Sequence, residues 1–223
     1  MRYIITFIDH FSWYPTCYFL QKKNGQAALD AFKQYKAWAE NQTGRCIKTL
    51  CTDSGGEYVN GEFQEFLTEN GISHEKTMRH TLQSNGLAEH MNRTLAEKTW
   101  SLLHGTNLPY KLWAEAWNMA WYLYTKGPVK GHDSMPEAKF KSFNGRKSVV
   151  KHLKVYRCTA YEHVPDALWM KLQPKSKKLI FVRYVTKEKA YQLWDPTNDK
   201  ISSSWDVVFN KAQKGIEWSG DEP

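Results

Sequence analysis

Several common sequence features are missing from this 223-residue chain. No stretch approaches the ~18 uninterrupted apolar residues that a membrane-spanning helix requires, and Met1 to Asp9 is too short and too soon charged to serve as a signal peptide. Those two absences predict a chain that stays inside the cell, away from membranes. The 4 cysteines, Cys17, Cys46, Cys51 and Cys158, include no Cys-x-x-Cys pair, which argues against a zinc knuckle or a disulfide framework and for reduced, packed thiols. Low-complexity segments and internal repeats are also lacking. What remains is ordinary globular usage, with 41% hydrophobic, 14% aromatic and 24% charged residues. Such a chain can bury a core, and its length suits one domain or a domain with a modest extension.

Charge is unevenly placed. The net charge is +8, yet Thr125 to Ala190 holds 16 Lys or Arg against 5 Asp or Glu, so the remainder is slightly acidic. A concentrated basic block suits a polyanionic partner, and an ordinary solvated lysine-rich surface is the competing reading.

The apolar pattern changes character along the chain. Arg2 to Asp9 and Tyr14 to Leu20 read as adjacent strands of a hairpin. Gln26 to Gln42 spaces Leu29, Phe32, Tyr35 or Lys36, and Trp38-Ala39 helically, between Asn24-Gly25 and Thr43-Gly44. Cys46 to Thr52 reads as a strand, Glu62 to Glu69 as a helix, Ile72 to Lys76 as a short strand and Ser84 to His104 as a long helix. Pro109 opens a Trp-rich helix through Tyr124, whose aromatics suit core better than a ligand box. Beyond it come β-type runs at Val155 to Val164, Leu179 to Val185, Tyr191 to Trp194 and Ile201 to Phe209. The organisation predicted is a domain over 1–125, a basic linker over 126–154, a small β-rich domain over 155–211 and a tail over 212–223.

Two acids stand out by position. Asp53 lies where a strand gives way to a Gly-rich turn, so its carboxylate projects from a sheet edge. Glu89 lies on the polar stripe of the long helix, opposite the stripe of Leu87, Met91 and Leu95. Carboxylates on separate rigid elements can converge on a hard cation such as Mg²⁺ or Mn²⁺. Taken singly, each reads better as a surface or capping group than as a ligand. His74, His80, His104, His132, His152 and His163 show no metal-ligand spacing and read as solvated or packed.

Thr52-Asp53-Ser54-Gly55-Gly56-Glu57-Tyr58 resembles the second-acid motif of retroviral-type integrases. Leu82-Gln83-Ser84-Asn85-Gly86-Leu87-Ala88-Glu89-His90-Met91-Asn92-Arg93 resembles their third-acid helix, with 35 residues between the two acids as in that family. Tyr3 to Asp9, Leu108-Pro109, Lys178 to Tyr184 and Ser204 to Phe209 resemble the copia-type retrotransposon branch, so the likeness runs over nearly the whole chain.

The resemblance implies an α/β, RNase H-like mixed sheet with flanking helices, followed by the β-rich C-terminal region. It implies a Mg²⁺- or Mn²⁺-dependent DNA strand-transferase with Asp53 and Glu89 as catalytic metal ligands, and DNA ends and target DNA as partners, with RNA a further candidate. Asn92, Arg93, Lys98, Arg146 and Lys147 are the expected nucleic-acid contacts. In the family the first catalytic Asp lies on a strand upstream of the segment that Tyr3 to Asp9 resembles. Asp9 is therefore assigned a structural role, the chain is read as a fragment lacking the first strand, and its strand transfer is expected to be impaired. A non-catalytic nucleic-acid-binding relic is the alternative, and an adhesive interaction piece built on Trp113 to Tyr124 a third reading. A nuclear site and a homo-oligomer follow for a functional member.

Overall fold

The computed structural model describes residues 2–53, 55–58, 60–76, 82–127, 139–164, 174–185 and 188–214. Ser54, His80, His132, linker residues 128–138 and tail residues 215–223 lie outside them, as do the side chains of residues 82–85. The chain forms two compact units, one from residues 1–94 with 125–148 and the other from residues 95–124 with 149–223. Among the described residues no helix is long and apolar enough to cross a membrane.

In the N-terminal unit, β1 (Tyr3–Ile8) pairs antiparallel with β2 (Pro15–Leu20), from Tyr3 opposite Leu20 to Ile8 opposite Pro15. The connection is the tight turn predicted between them, with Trp13 at φ 54°. Helix α1 (Gly25–Thr43) begins where the Asn24 side chain accepts the Ala27 N–H and ends where Gly44, at φ 66°, donates its N–H to the Glu40 carbonyl. A left-handed residue at this position closes a helix, and only glycine adopts it without strain.

A parallel ladder joins β3 (Thr49–Thr52) to β4 (Ser73–Lys76), bridged by α2 (Gly61–Glu69). The predicted strand from Cys46 enters the ladder only at Thr49, because the Ile47 N–H is taken by the Glu40 carboxylate at the end of α1. β1–β2 and β3–β4 are separate two-stranded sheets, the first antiparallel and the second parallel. The apolar face of α1 packs on β1 and on α2, the crossover between β3 and β4. Phe32 is fully buried, with ring centroids 5.7 Å from Phe7 on β1 and 5.6 Å from Phe63 on α2. Phe7 also stacks on Tyr35 at 4.8 Å. Within the stretch predicted as a linker, α5 (Lys139–Asn144) buries Phe143 against Tyr14 and Trp38, with centroids 4.7 and 5.3 Å away.

Helix α3 (Leu82–His104) contributes to both units, and α4 (Trp113–Lys126) follows a single 3-10 turn at Tyr110–Leu112. The C-terminal unit is built on a five-stranded antiparallel sheet in the order β8-β7-β6-β5-β9. Its strands are β5 (Cys158–His163), β6 (Ser176–Val185), β7 (Ala190–Asp195), β8 (Lys200–Ser204) and β9 (Val207–Lys214). Leu179, Ile180, Phe181 and Val182 of β6 are all buried, so both faces of this central strand are covered. Ala116, Met119 and Tyr122 of α4 belong to the same core, with Trp113 and Trp121 packed against it. The Trp-rich helix thus serves as core, which leaves little of it to act as an adhesive patch. The predicted run Ile201 to Phe209 is two strands, because Asp206 breaks the ladder by accepting the His163 N–H and β9 pairs with β5 instead of β8.

Asp195 closes β7 and organises the turn read from Asp195-Pro196-Thr197-Asn198. Its carboxylate accepts the N–H groups of Thr197 and Asn198 and the Asn198 side-chain amide, and pairs with Lys177 at 2.6 Å. Burial opposes ionisation, but these donors outweigh it and hold the carboxyl down at about 2.

Two consequences for stability follow. Phe32→Ala removes a fully buried ring at the junction of β1, α1 and α2, and is expected to cost about 3–5 kcal/mol in denaturant unfolding. The depressed Asp195 value means that its contribution is complete above its ordinary value of 3.8 and is lost as pH falls toward about 2. Acid unfolding followed by tryptophan fluorescence is expected to show a smaller loss over that window in Asp195→Asn than in the unaltered chain.

Candidate metal centre and nucleic-acid interface

The parallel ladder ends at Thr52, and the next residue, Asp53, leaves the sheet exposed to solvent. Its carboxylate Oδ1 accepts the Gly55 N–H at 3.1 Å, an Asx turn that anchors the acid to the Gly-rich loop. Its backbone carbonyl accepts the Thr52 hydroxyl at 2.9 Å. Thr52 in turn contacts His74 Nε2 on β4 at 2.9 Å, and His74 Nδ1 contacts the Gln64 side-chain amide of α2 at 2.8 Å. Burial and the Lys76 ammonium both push the His74 pKa below its ordinary value.

On α3, Met91 and Leu95 are buried while Glu89, Asn92 and Arg93 are exposed, so the helical period alone separates the packed stripe from the chemical one. Asp53, Glu89 and Asn92 line a single cavity of about 940 Å³ in the N-terminal unit. Every residue from 4 to 8 of β1 and from 49 to 52 of β3 lines it as well. Successive side chains of a strand point to opposite faces, so lining by consecutive residues means that the cavity runs along the strand edges, between the two short sheets.

Arg93, Lys98, Arg146 and Lys147 are exposed and stand outside the cavity wall; Gly145, which does line it, directly precedes Arg146. Asp9 lines the cavity too, but its Oδ2 accepts the Ser12 N–H at 2.8 Å and the Ser12 hydroxyl at 2.6 Å. Those bonds cap the β1–β2 turn.

Asp53 and Glu89 take part in no salt bridge among the described residues, and both offer hard oxygen donors to one cavity. That donor chemistry fits a cation such as Mg²⁺, which binds through one or two carboxylates and keeps waters for a phosphate oxygen. Among the described residues no group of three or more His, Cys, Asp or Glu is placed to enclose a metal. A fully protein-made cage is therefore not the arrangement these residues offer. Local sequence gives no reason to group Thr52, Gln64 and His74. Thr52 and His74 share a face only because Leu50 stands opposite His74 in the β3–β4 register, and nothing in the sequence states that register.

Residues 1–81 match the integrase core domain model, and residues 158–220 match the retroviral polymerase SH3-like domain model. The retrovirus-related Pol polyprotein from transposon TNT 1-94 of Nicotiana tabacum is 40% identical over 95% of this chain. Over residues 1–81 this chain is thus similar to an integrase core domain, and over nearly its whole length to retrotransposon Pol polyproteins. The Pol polyprotein from transposon RE2 of Arabidopsis thaliana is 30% identical over 94% of the chain.

The chain spans only 16% and 14% of the lengths of these two relatives. Among solved structures, the simian T-cell lymphotropic virus intasome in complex with the PP2A regulatory subunit B56 gamma matches with a TM-score of 0.52 and 17% identity. That match covers 90% of this chain and 68% of the other, and it is a likeness of fold. The fold is RNase H-like, with mixed strands and flanking helices, and ends in the antiparallel β-rich region, as the integrase resemblance implied.

If Asp53 and Glu89 share a cation, ligand linkage applies to the folded chain. Millimolar Mn²⁺ is expected to raise the unfolding midpoint by a few °C, an order of magnitude set by linkage and domain size. Calorimetry of Asp53→Asn and Glu89→Gln is expected to show most of that shift gone.

Proposed function

We propose that this integrase core holds Mg²⁺ or Mn²⁺ through Asp53 and Glu89 and joins DNA ends to target DNA. The observation that carries the reading is that two carboxylates from separate rigid elements, the end of β3 and the exposed stripe of α3, line one cavity. In the reaction, the oxygen of a 3′-hydroxyl forms a new bond to a target phosphorus as the bond from that phosphorus to its former 3′ oxygen breaks. Asp53 and Glu89 would hold the divalent ion, which when bound would supply activation of the entering oxygen and stabilisation of the departing one.

Asp53 is suited to hold its ligand in a fixed place, because both its carbonyl and its Oδ1 are engaged by neighbours. Asn92, on the cavity wall, and Arg93 beside it serve as donors to phosphate oxygens. Lys98, Arg146 and Lys147 supply sequence-independent attraction to the backbone. The family resemblance calls for a third carboxylate. The work requires access to chromosomal DNA, hence a nuclear location, and pairing of two DNA ends suits a homo-oligomer.

A second reading keeps the nucleic acid and drops the chemistry: a non-catalytic DNA- or RNA-binding relic. The exposure of Arg93, Lys98, Arg146 and Lys147 outside the cavity favours it, since phosphate contact there does not depend on the carboxylates.

Labelled DNA ends with Mn²⁺ separate the two. Under the first reading, Asp53→Asn and Glu89→Gln each lower joining by about 100-fold or more while DNA affinity is kept. Joining that survives both changes refutes the site. DNA binding with a steep salt dependence and no joining in any variant selects the second reading. In either case Arg93→Ala is expected to lower the slope of log affinity against log salt by about 1.

A further inference from the structure

The hydrogen bonds behind Asp53 have a direction, and that direction can be derived. Gln64 Nε2 lies 2.9 Å from the Tyr58 carbonyl oxygen, which can only accept, so this atom is the amide nitrogen of Gln64. The same nitrogen contacts His74 Nδ1 at 2.8 Å and donates to it, leaving Nδ1 without a proton. In a neutral imidazole the proton then resides on Nε2, which donates to the Thr52 hydroxyl oxygen at 2.9 Å. The Thr52 hydroxyl in turn donates a hydrogen bond to the carbonyl oxygen of Asp53. Three side chains, one each from α2, β4 and β3, thus donate in one direction and end on the backbone carbonyl of the acid that follows the strand.

We infer that His74, held as the neutral Nε2–H tautomer, is a positioning residue for Asp53, acting through Thr52 and oriented by Gln64. The inference rests on the metal-ligand reading of Asp53 given above and extends it to three residues that touch neither cation nor substrate. Asp53 is exposed and follows the last rung of a four-residue ladder, a place where a backbone frays readily. Tying its carbonyl to the ladder through Thr52, while Gly55 ties Oδ1 to the loop, fixes the residue at two points.

Burial and the nearby Lys76 charge, which disfavour protonation of His74, support the neutral ring that the relay requires. An imidazolium would present a donor on Nδ1 to the Gln64 N–H and break the relay at its origin. Outer partners that orient a metal ligand in this manner typically contribute about 10- to 100-fold to metal affinity.

The test uses the full chain. Mn²⁺ affinity is measured by the paramagnetic resonance of the free ion for Asp53→Asn, His74→Phe, Thr52→Val, the His74→Phe/Thr52→Val double variant and Thr52→Ser. His74→Phe and Thr52→Val are each expected to weaken binding about tenfold. The double variant is expected to lose no more than either single one, because all act through one chain of bonds. Thr52→Ser, which keeps the hydroxyl, is expected to bind as the unaltered protein does.

Two further readouts need no metal. Long-range ¹H–¹⁵N spectra are expected to show His74 protonated at Nε2 alone, and Gly55 amide exchange is expected to quicken in His74→Phe and Thr52→Val but not in Thr52→Ser. An Nδ1–H or doubly protonated His74, or unchanged Gly55 exchange in both variants, overturns the relay. So does a fall in thermal midpoint in both variants with Mn²⁺ affinity intact, which is the mark of simple stitching between β3 and β4. If instead Asp53→Asn binds Mn²⁺ as tightly as the unaltered chain, the metal-ligand reading fails, and the metal-free readouts still decide whether His74 orders the Asp53 turn.

Discussion

The candidate site depends on the parallel pairing of Thr49–Thr52 with Ser73–Lys76, four residues on each side. A parallel pair cannot be closed by a tight turn and needs a crossover, here supplied by the Gly-rich loop and α2. That crossover determines what surrounds Asp53. The loop gives it the Gly55 N–H, α2 sends Gln64 back toward the sheet, and β4 brings His74 alongside Thr52. Were the ladder to slip by one residue, Thr52 and His74 would turn to opposite faces and the acid would lose its brace.

Rigid support for this short ladder comes from aromatic packing rather than from a wide sheet. Phe32 and Tyr35 of α1 meet Phe7 of β1, and Phe32 also meets Phe63 of α2, so a single helix face steadies a strand of the first sheet and the crossover helix of the second. Isolated two-stranded sheets are marginal in water, and burial of these rings supplies what strand pairing alone does not. The cavity is the space left between those sheets, and the polar residues of α3 stand on its wall because Met91 and Leu95 hold the opposite stripe of the helix in the core.

The acids also show how availability is decided. Asp9, Asp53 and Asp195 all sit where a strand meets a turn. Asp9 is taken up by both donors of Ser12, and Asp195 by two backbone N–H groups, Asn198 and Lys177. Among the described residues the Asp53 carboxylate accepts one bond, from Gly55, and lines a cavity. The three positions are alike in sequence, and the count of donors already satisfied separates Asp9 and Asp195, which make turns, from Asp53.

Much of this was legible before folding was considered. The period of Leu29, Phe32, Tyr35 and Ala39 determined α1, with Asn24 and Gly44 as its ends, since helix periodicity and caps are local properties. Asp53 and Glu89 were distinguished by the motifs around them. Tertiary structure decided the rest, because it brings together residues that no local rule relates. It put Asp53, Glu89 and Asn92 on one cavity, gave Asp9 to Ser12, turned part of an expected linker into a helix packed through Phe143, and sent β9 to the far edge of the C-terminal sheet. His74, read from sequence as a bland histidine, acquired partners only through strand register, and register is a long-range choice made by the whole core.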